Sequence, residues 1–250
     1  MEINGDYTFK VTVPAHLGSE RLAEKVLVDI KGKAMLLRVL EQCEQAVGRA
    51  NVGVVTPDRK IFDIVNDWGF EAYRSPQGLP DGSSAIASVA PQLDVDYIIN
   101  VQGDQPLIPP DLVRALVKNL ASSGADMVTP VFRITELEDL GERGVAKVIR
   151  TIDGWALYFS RAAIPYLRDV PYEKWLDTVP YWGHYGIYGY PRKVLLNMKE
   201  LRKSYLEGGE KLEQLRLLQN GLRVFTFETP HRQLAVDTEE DLQKILKYVV

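Results

Sequence analysis

Runs of aliphatic and β-branched residues alternate with helical stripes through the first half of this chain. That alternation limits its architecture more than any other feature. Phe9–Pro14 is an apolar run that stops at a proline, and Leu36, Leu37, Leu40, Cys43 and Val47 then recur at helical spacing. Val52–Thr56 reads as a second strand, with Ile61, Ile64, Val65 and Trp68 as the stripe of a second helix. Residues 70–73 form a short third strand, and a Gly- and Pro-rich loop over 75–84 leads into a weaker helix. Residues 97–101 are another strand, followed by a helix marked by Leu112, Val113, Leu116, Val117 and Leu120. Strands alternating with helices pair in parallel through right-handed crossovers. The expected fold class is α/β, with a mostly parallel layered sheet.

The pattern changes after Met127. Strand-like segments at 145–150, 156–160 and 186–190 cluster without long helices between them. The intervening loops carry Trp155, Tyr158, Tyr166, Tyr172, Trp175, Tyr181, Trp182 and Tyr185. We expect an antiparallel extension over roughly 127–205, inside one domain spanning 1–250, and its Tyr and Trp content suits a subunit interface. Residues 210–220 read as a helix, 224–227 as a strand, and Leu242, Ile245, Leu246 and Val249 as the face of a closing helix.

Composition excludes several classes. With 46% apolar and 26% charged residues, disorder is a poor reading. A net charge of -4 with no basic tract argues against a dedicated nucleic-acid binder. The single cysteine, Cys43, rules out an internal disulfide framework, and its place on an apolar helix face marks it as structural. His16, His184 and His231 have no zinc-ligand spacing. No signal peptide or membrane-length segment is visible, so the expected location is cytoplasmic, away from membranes.

Chemistry concentrates where strands end. The run at 97–101 stops at Gly103-Asp104, and Pro106 prevents its continuation, which leaves a carboxylate on the lip of a buried strand. The first strand runs into Pro14-Ala15-His16-Leu17-Gly18-Ser19-Glu20-Arg21-Leu22-Ala23-Glu24-Lys25. There Gly18 permits close backbone approach, and Arg21 and Lys25 add two cations, a combination suited to phosphate. It is neither a P-loop nor a dinucleotide fingerprint. Near the far end, Asp237 precedes Thr238-Glu239-Glu240-Asp241, where an Asp or Thr would cap the last helix. Two carboxylates from separate strand ends suit Mg²⁺, so Asp104 and Asp237 form the candidate metal pair.

Along nearly its whole length the chain resembles the 3-deoxy-manno-octulosonate (KDO) cytidylyltransferases, also called CMP-KDO synthetases. The matching segments include Asn100-Val101-Gln102-Gly103-Asp104-Gln105-Pro106, Ala156-Leu157-Tyr158-Phe159-Ser160-Arg161 and Ile164-Pro165. Others are Gly186-Ile187-Tyr188-Gly189-Tyr190, Leu212-Glu213-Gln214-Leu215-Arg216 and Val236-Asp237-Thr238-Glu239-Glu240-Asp241-Leu242. The resemblance implies a GT-A-like nucleotidyltransferase fold, a homodimer, and a role in lipopolysaccharide biosynthesis. It implies transfer from CTP to a sugar acid, giving a CMP-sugar and pyrophosphate. By the same resemblance, Arg21, Lys25 and Asp104 are catalytic. Ala15, Gly18, Ser19, Arg21, Lys25 and Gln102 hold the nucleotide, and Asp104 and Asp237 bind Mg²⁺. Arg161, His184, Tyr188, Glu213 and Gln214 face the sugar acid.

The chain departs from the family at ligand loops. His16 stands for Arg, Glu20 for Thr, and Asp81-Gly82-Ser83-Ser84-Ala85 replaces Ser-Gly-Thr-Asp/Glu-Arg, losing the Arg. These departures open two alternatives: a cytidylyltransferase for another acidic hydroxylated acceptor, or a silent nucleotide-binding relative. A GT-A glycosyltransferase is a third, opposed by the Arg21/Lys25 loop.

Overall fold

Residues 7–19 and 22–249 are described by the computed structural model of the chain. The apolar run Phe9–Pro14 forms strand β1, whose Val11, Thr12 and Val13 are fully buried. A small hairpin of β2 (Asp29–Ile30) and β3 (Lys33–Ala34) precedes α1 (Met35–Val47). Strand β4 (Val52–Thr56), α2 (Arg59–Asp67), β5 (Glu71–Arg74), α3 (Gly82–Val89), β6 (Tyr97–Asn100) and α4 (Pro110–Ser123) complete the alternating half. Here β5, β4, β1 and β6 lie side by side, all parallel. Strands β1, β4 and β6 are buried on both faces, as parallel pairing under helices requires, while edge strand β5 exposes Glu71 and Arg74. Cys43 is buried on α1, as its position in the stripe implied.

The second half continues the same sheet in the antiparallel sense. Its elements are β7 (Met127–Arg133), α5 (Leu137–Gly141), β8 (Lys147–Arg150), β9 (Ala156–Ser160), α6 (Trp175–Thr178), β10 (Trp182–His184), β11 (Tyr188–Pro191) and α7 (Arg192–Leu196). They are followed by α8 (Tyr205–Glu210), α9 (Gln214–Gln219), β12 (Val224–Thr229) and α10 (Glu239–Ile245). Strand β11 runs antiparallel to β6 and joins the two halves, while β7, β10, β8 and β9 carry the sheet outward. Strand β12 returns parallel to β7, so the ten-stranded sheet is mixed rather than split.

Several elements depart from the periodicity reading, including the β2–β3 hairpin, β7, β10 and the short helices α5, α6 and α7. Strand β7 was not legible because Pro130 interrupts its apolar run, although the Pro130 carbonyl still accepts from the Tyr185 N–H at 3.0 Å. The helix expected over 210–220 begins only at Gln214, as α9, and a separate short helix, α8, precedes it. Lys211 takes a left-handed conformation (φ 54°) and ends α8, whose Gly208-Gly209 pair is a weak helix former.

Strand β10 closes over β7 through one glycine. Gly183 pairs with Phe132, and a Cβ at Gly183 would stand 2.3 Å from the Phe132 ring, itself packed in the main core. We expect Gly183→Ala to lower stability by about 1–3 kcal/mol through overpacking. Urea unfolding should show a lower midpoint at unchanged slope; an unshifted midpoint would mean the ring has room to move.

Candidate active site

Strands β1 and β6 are parallel neighbours, so the segments after Pro14 and after Asn100 leave from the same sheet edge. Two glycines let these segments meet. A Cβ on Gly103 would lie 3.0 Å from the Pro14 carbonyl oxygen, and one on Gly82 would lie 2.9 Å from the Pro14 side chain. Gly103, the start of α3 and Pro14 therefore pack with no side chain between them.

Asp104 follows Gly103 on this lip. Asp237 reaches it from the far end of the chain, because the Val236 N–H donates to the Asp104 carbonyl at 2.9 Å. The helix cap is Thr238, in a capping box with Asp241, so the Asp237 carboxylate is not the α10 cap. Lys25 lies between the two acids: its Nζ is 2.8 Å from Asp104 Oδ2 and 2.8 Å from Asp237 Oδ1. Burial opposes the ammonium charge, but Asp104 and then Asp237 outweigh it and hold the Lys25 pKa above its ordinary value.

Two cavities flank this cluster. Ala15, Gly18, Ser19, Lys25 and Gln102 line one of about 420 Å³, together with His16. Arg161, His184, Tyr188, Glu213 and Gln214 line the other, of about 540 Å³. Gly82, Gln102 and Asp104 line both, so the cavities adjoin at the carboxylate lip. The structure thus brings together every described residue that the sequence nominated for the nucleotide, acceptor and metal sites. Arg21 and Glu20 lie outside the described residues.

The larger cavity is polar, and two of its ionisable groups are neutral. Burial, then Arg161, drives the His184 pKa down to about 3, so the imidazole is neutral. Burial, reinforced by Asp81, pushes Glu213 up to about 8, so it carries its proton at neutral pH. The Arg161 guanidinium is held by the backbone carbonyls of Glu210 (2.7 Å), Arg143 (2.9 Å) and Lys211 (3.2 Å). Gln214 is fully buried and its Nε2 has no partner among the described residues, a donor in need of an oxygen.

Sequence reasoning missed several lining residues: Glu207, Lys211 and Gln233 gave no motif or periodic signal. Asp81 was visible only as a departure. It caps α3 by accepting from the Ser84 N–H at 2.6 Å and takes Arg216 Nη2 at 3.2 Å, while Arg216 Nε also donates to Glu207 at 2.8 Å. A cation from α9 therefore stands at the start of α3. Ala85 lines neither cavity and packs against the core around Ile86.

The family model described as Cytidylyltransferase matches residues 11–241. The chain belongs to that family. This cytidylyltransferase is 39% identical over 242 residues to the 3-deoxy-manno-octulosonate cytidylyltransferase of Trichlorobacter lovleyi, covering 93% of the chain and 94% of the relative. It is 37% identical over 251 residues to the enzyme of that name from Haemophilus influenzae, covering 95% and 97%. A solved CMP:2-keto-3-deoxy-manno-octonic acid synthetase complexed with CTP superposes with a TM-score of 0.89 at 34% identity, over 96% of this chain and 98% of that one. A cytidylyltransferase from Leptospira borgpetersenii shares the fold at a TM-score of 0.64 and 17% identity, over 98% and 88%. The α/β class expected from periodicity is the fold of these neighbours.

The donor set at the lip suits a hard divalent cation. Two carboxylates converge where the protein already seats a positive charge, the Lys25 ammonium. Among the described residues no group of three or more His, Cys, Asp or Glu is arranged to hold a metal. A two-carboxylate site matches Mg²⁺, whose shell phosphates and waters complete, rather than an all-protein cage.

Protonated Glu213 makes stability fall as pH rises. The unfolded carboxyl releases its proton near pH 4.3, whereas the native one keeps it to about 8, so the native state binds more protons between those values. Glu213→Gln should therefore gain in unfolding free energy relative to wild type from pH 5 to pH 8. Urea curves at the two pH values check this; a difference that stays constant would place the ionised form in the native cavity.

Proposed function

We propose that this cytidylyltransferase transfers the cytidylyl group of CTP to 3-deoxy-manno-octulosonate, giving CMP-KDO and pyrophosphate, and that it requires Mg²⁺. The observation that carries this reading is Lys25 bridging Asp104 and Asp237 at the junction of two cavities. The names of the relatives and the CTP carried by the solved neighbour supply the nucleotide and the acceptor.

In this reading the smaller cavity takes the triphosphate, with Lys25 and the 15–19 backbone against its phosphates. The larger cavity takes the sugar acid, with Arg161, His184, Tyr188, Glu213 and Gln214 around it. The anomeric hydroxyl oxygen bonds to the α-phosphorus, the bond from that phosphorus to the bridging oxygen of pyrophosphate breaks, and the hydroxyl proton is released. Asp104 and Asp237 would hold Mg²⁺, which when bound supplies charge neutralisation for the phosphates. Lys25 offsets the charge gathering on the leaving pyrophosphate. We further propose a homodimer, supported by the exposed aromatics Tyr166 and Tyr172 of the antiparallel half.

A second acceptor reading has one observation in its favour. Asp81, absent from the family pattern, stands beside Glu213 on the sugar-acid wall and adds an acceptor there, which fits a sugar acid whose hydroxyls are arranged differently. A silent relative fits poorly with the retained Lys25, Asp104 and Asp237 cluster.

Pyrophosphate release from CTP and Mg²⁺ with KDO, and with a panel of other sugar acids, tests the function. Asp104→Ala should lower kcat by at least about 10²-fold, the scale of losing one preorganised electrostatic group, with an unchanged circular dichroism spectrum. Wild-type turnover in that variant would remove the metal-site reading. No release with any acid, despite CTP binding, would favour the silent relative.

A further inference from the structure

His184 lines the larger cavity, and what it offers a ligand depends on which ring nitrogen bears its proton. A residue outside the cavity lining decides this. Thr129, on β7, is fully buried, and its Oγ lies 2.9 Å from His184 Nε2. The same oxygen is 2.8 Å from the Ile187 carbonyl and 3.2 Å from the Tyr185 carbonyl. A hydroxyl has one proton to give, and a carbonyl can only accept. The Ile187 carbonyl is the closer of the two and takes the proton, while the Tyr185 carbonyl also accepts from the Ile187 N–H at 2.7 Å. Were it turned to His184 instead, two oxygens 2.8 Å apart would face each other as acceptors. The contact to the ring must therefore run the other way, with His184 Nε2–H donating to Thr129.

We infer that Thr129 is a positioning residue that fixes His184 as its Nε2–H tautomer, so that Nδ1 presents only a lone pair to the sugar-acid cavity and seats a hydroxyl of the acceptor, not its carboxylate. The ring is also fixed in direction. Phe159 meets it edge-on at 5.2 Å, and Tyr188 stands at 5.5 Å on a tilted plane. No protein group is bonded to Nδ1 among the described residues. A carboxylate against that lone pair would meet repulsion; a hydroxyl donates to it. The carboxylate is left to the donors elsewhere on the wall, Arg161, Lys211 and the unpartnered Gln214 amide.

The inference about the bound group rests on the acceptor reading above; the inference about the ring does not. Nitrogen-15 correlation spectra of the ligand-free protein at pH 7 read the tautomer directly. With only three histidines in the chain, a His184→Asn sample assigns the signal. We expect Nε2 in the protonated range and Nδ1 in the unprotonated range. A proton on Nδ1 would overturn the proposal. Thr129→Ser should keep the spectrum and the kinetics of wild type. Thr129→Val should lose the single-tautomer pattern and raise KM for KDO about tenfold, with KM for CTP unchanged. Equal rises in both constants, or neither, would overturn the positioning role. If the valine variant does not fold, the wild-type and serine spectra still decide. Absence of turnover with KDO in wild type would sink the acceptor reading and leave the ring assignment to the spectra.

Discussion

One ammonium group shared by two carboxylates organises this molecule's chemistry. Asp104 and Asp237 belong to segments far apart in the chain, and their like charges would drive them apart without a cation between them. Lys25 supplies it at 2.8 Å to each, in a partly buried setting where solvent screens less than at an open surface. The backbone bond from Val236 to Asp104 brings the second acid to the lip, and the Thr238–Asp241 box ends the helix cap one residue beyond it. In the proposed reaction the same three side chains meet the most negative substrate, so the arrangement that is stable when empty is also arranged for phosphate.

The larger cavity shows a different use of burial. Among the ionisable groups of its wall, His184 is neutral and Glu213 protonated, while Arg161 keeps its charge and is fixed in place by backbone carbonyls. Desolvation costs less for groups that surrender their charge than for groups that keep it. His184 and Glu213 thereby offer a fixed lone pair and a fixed proton, with direction, in place of charge. Thr129 contributes to that from one layer behind.

Much of this was legible in the residues themselves. The alternating half was readable because β1, β4 and β6 are buried on both faces and α1, α2 and α4 carry regular apolar stripes. The Gly103-Asp104 stop and the paired acids were readable because a strand buried to its end must place its first charge at the rim. Strand β7 was hidden by Pro130, and the break at Lys211 by the apolar leucines that continue past it. Lys211, Glu207 and Gln233 were beyond reach for another reason. They enter the cavity through loop and helix-end geometry that no local pattern encodes. The family pattern has Arg at position 85, where this chain has Ala85. In the fold that position faces apolar core, and Arg216 stands at the start of the same helix through Asp81.

Gly82, Gln102 and Asp104 border both chambers, and Gly82 has no side chain to raise a partition there. A single rigid compound can accordingly run from one chamber into the other across the glycine threshold. Such a compound gives up its translational freedom once while occupying two recognition surfaces. The doorway that lets two reactants touch is thus also the weakest point in the enzyme's defence against bridging inhibitors.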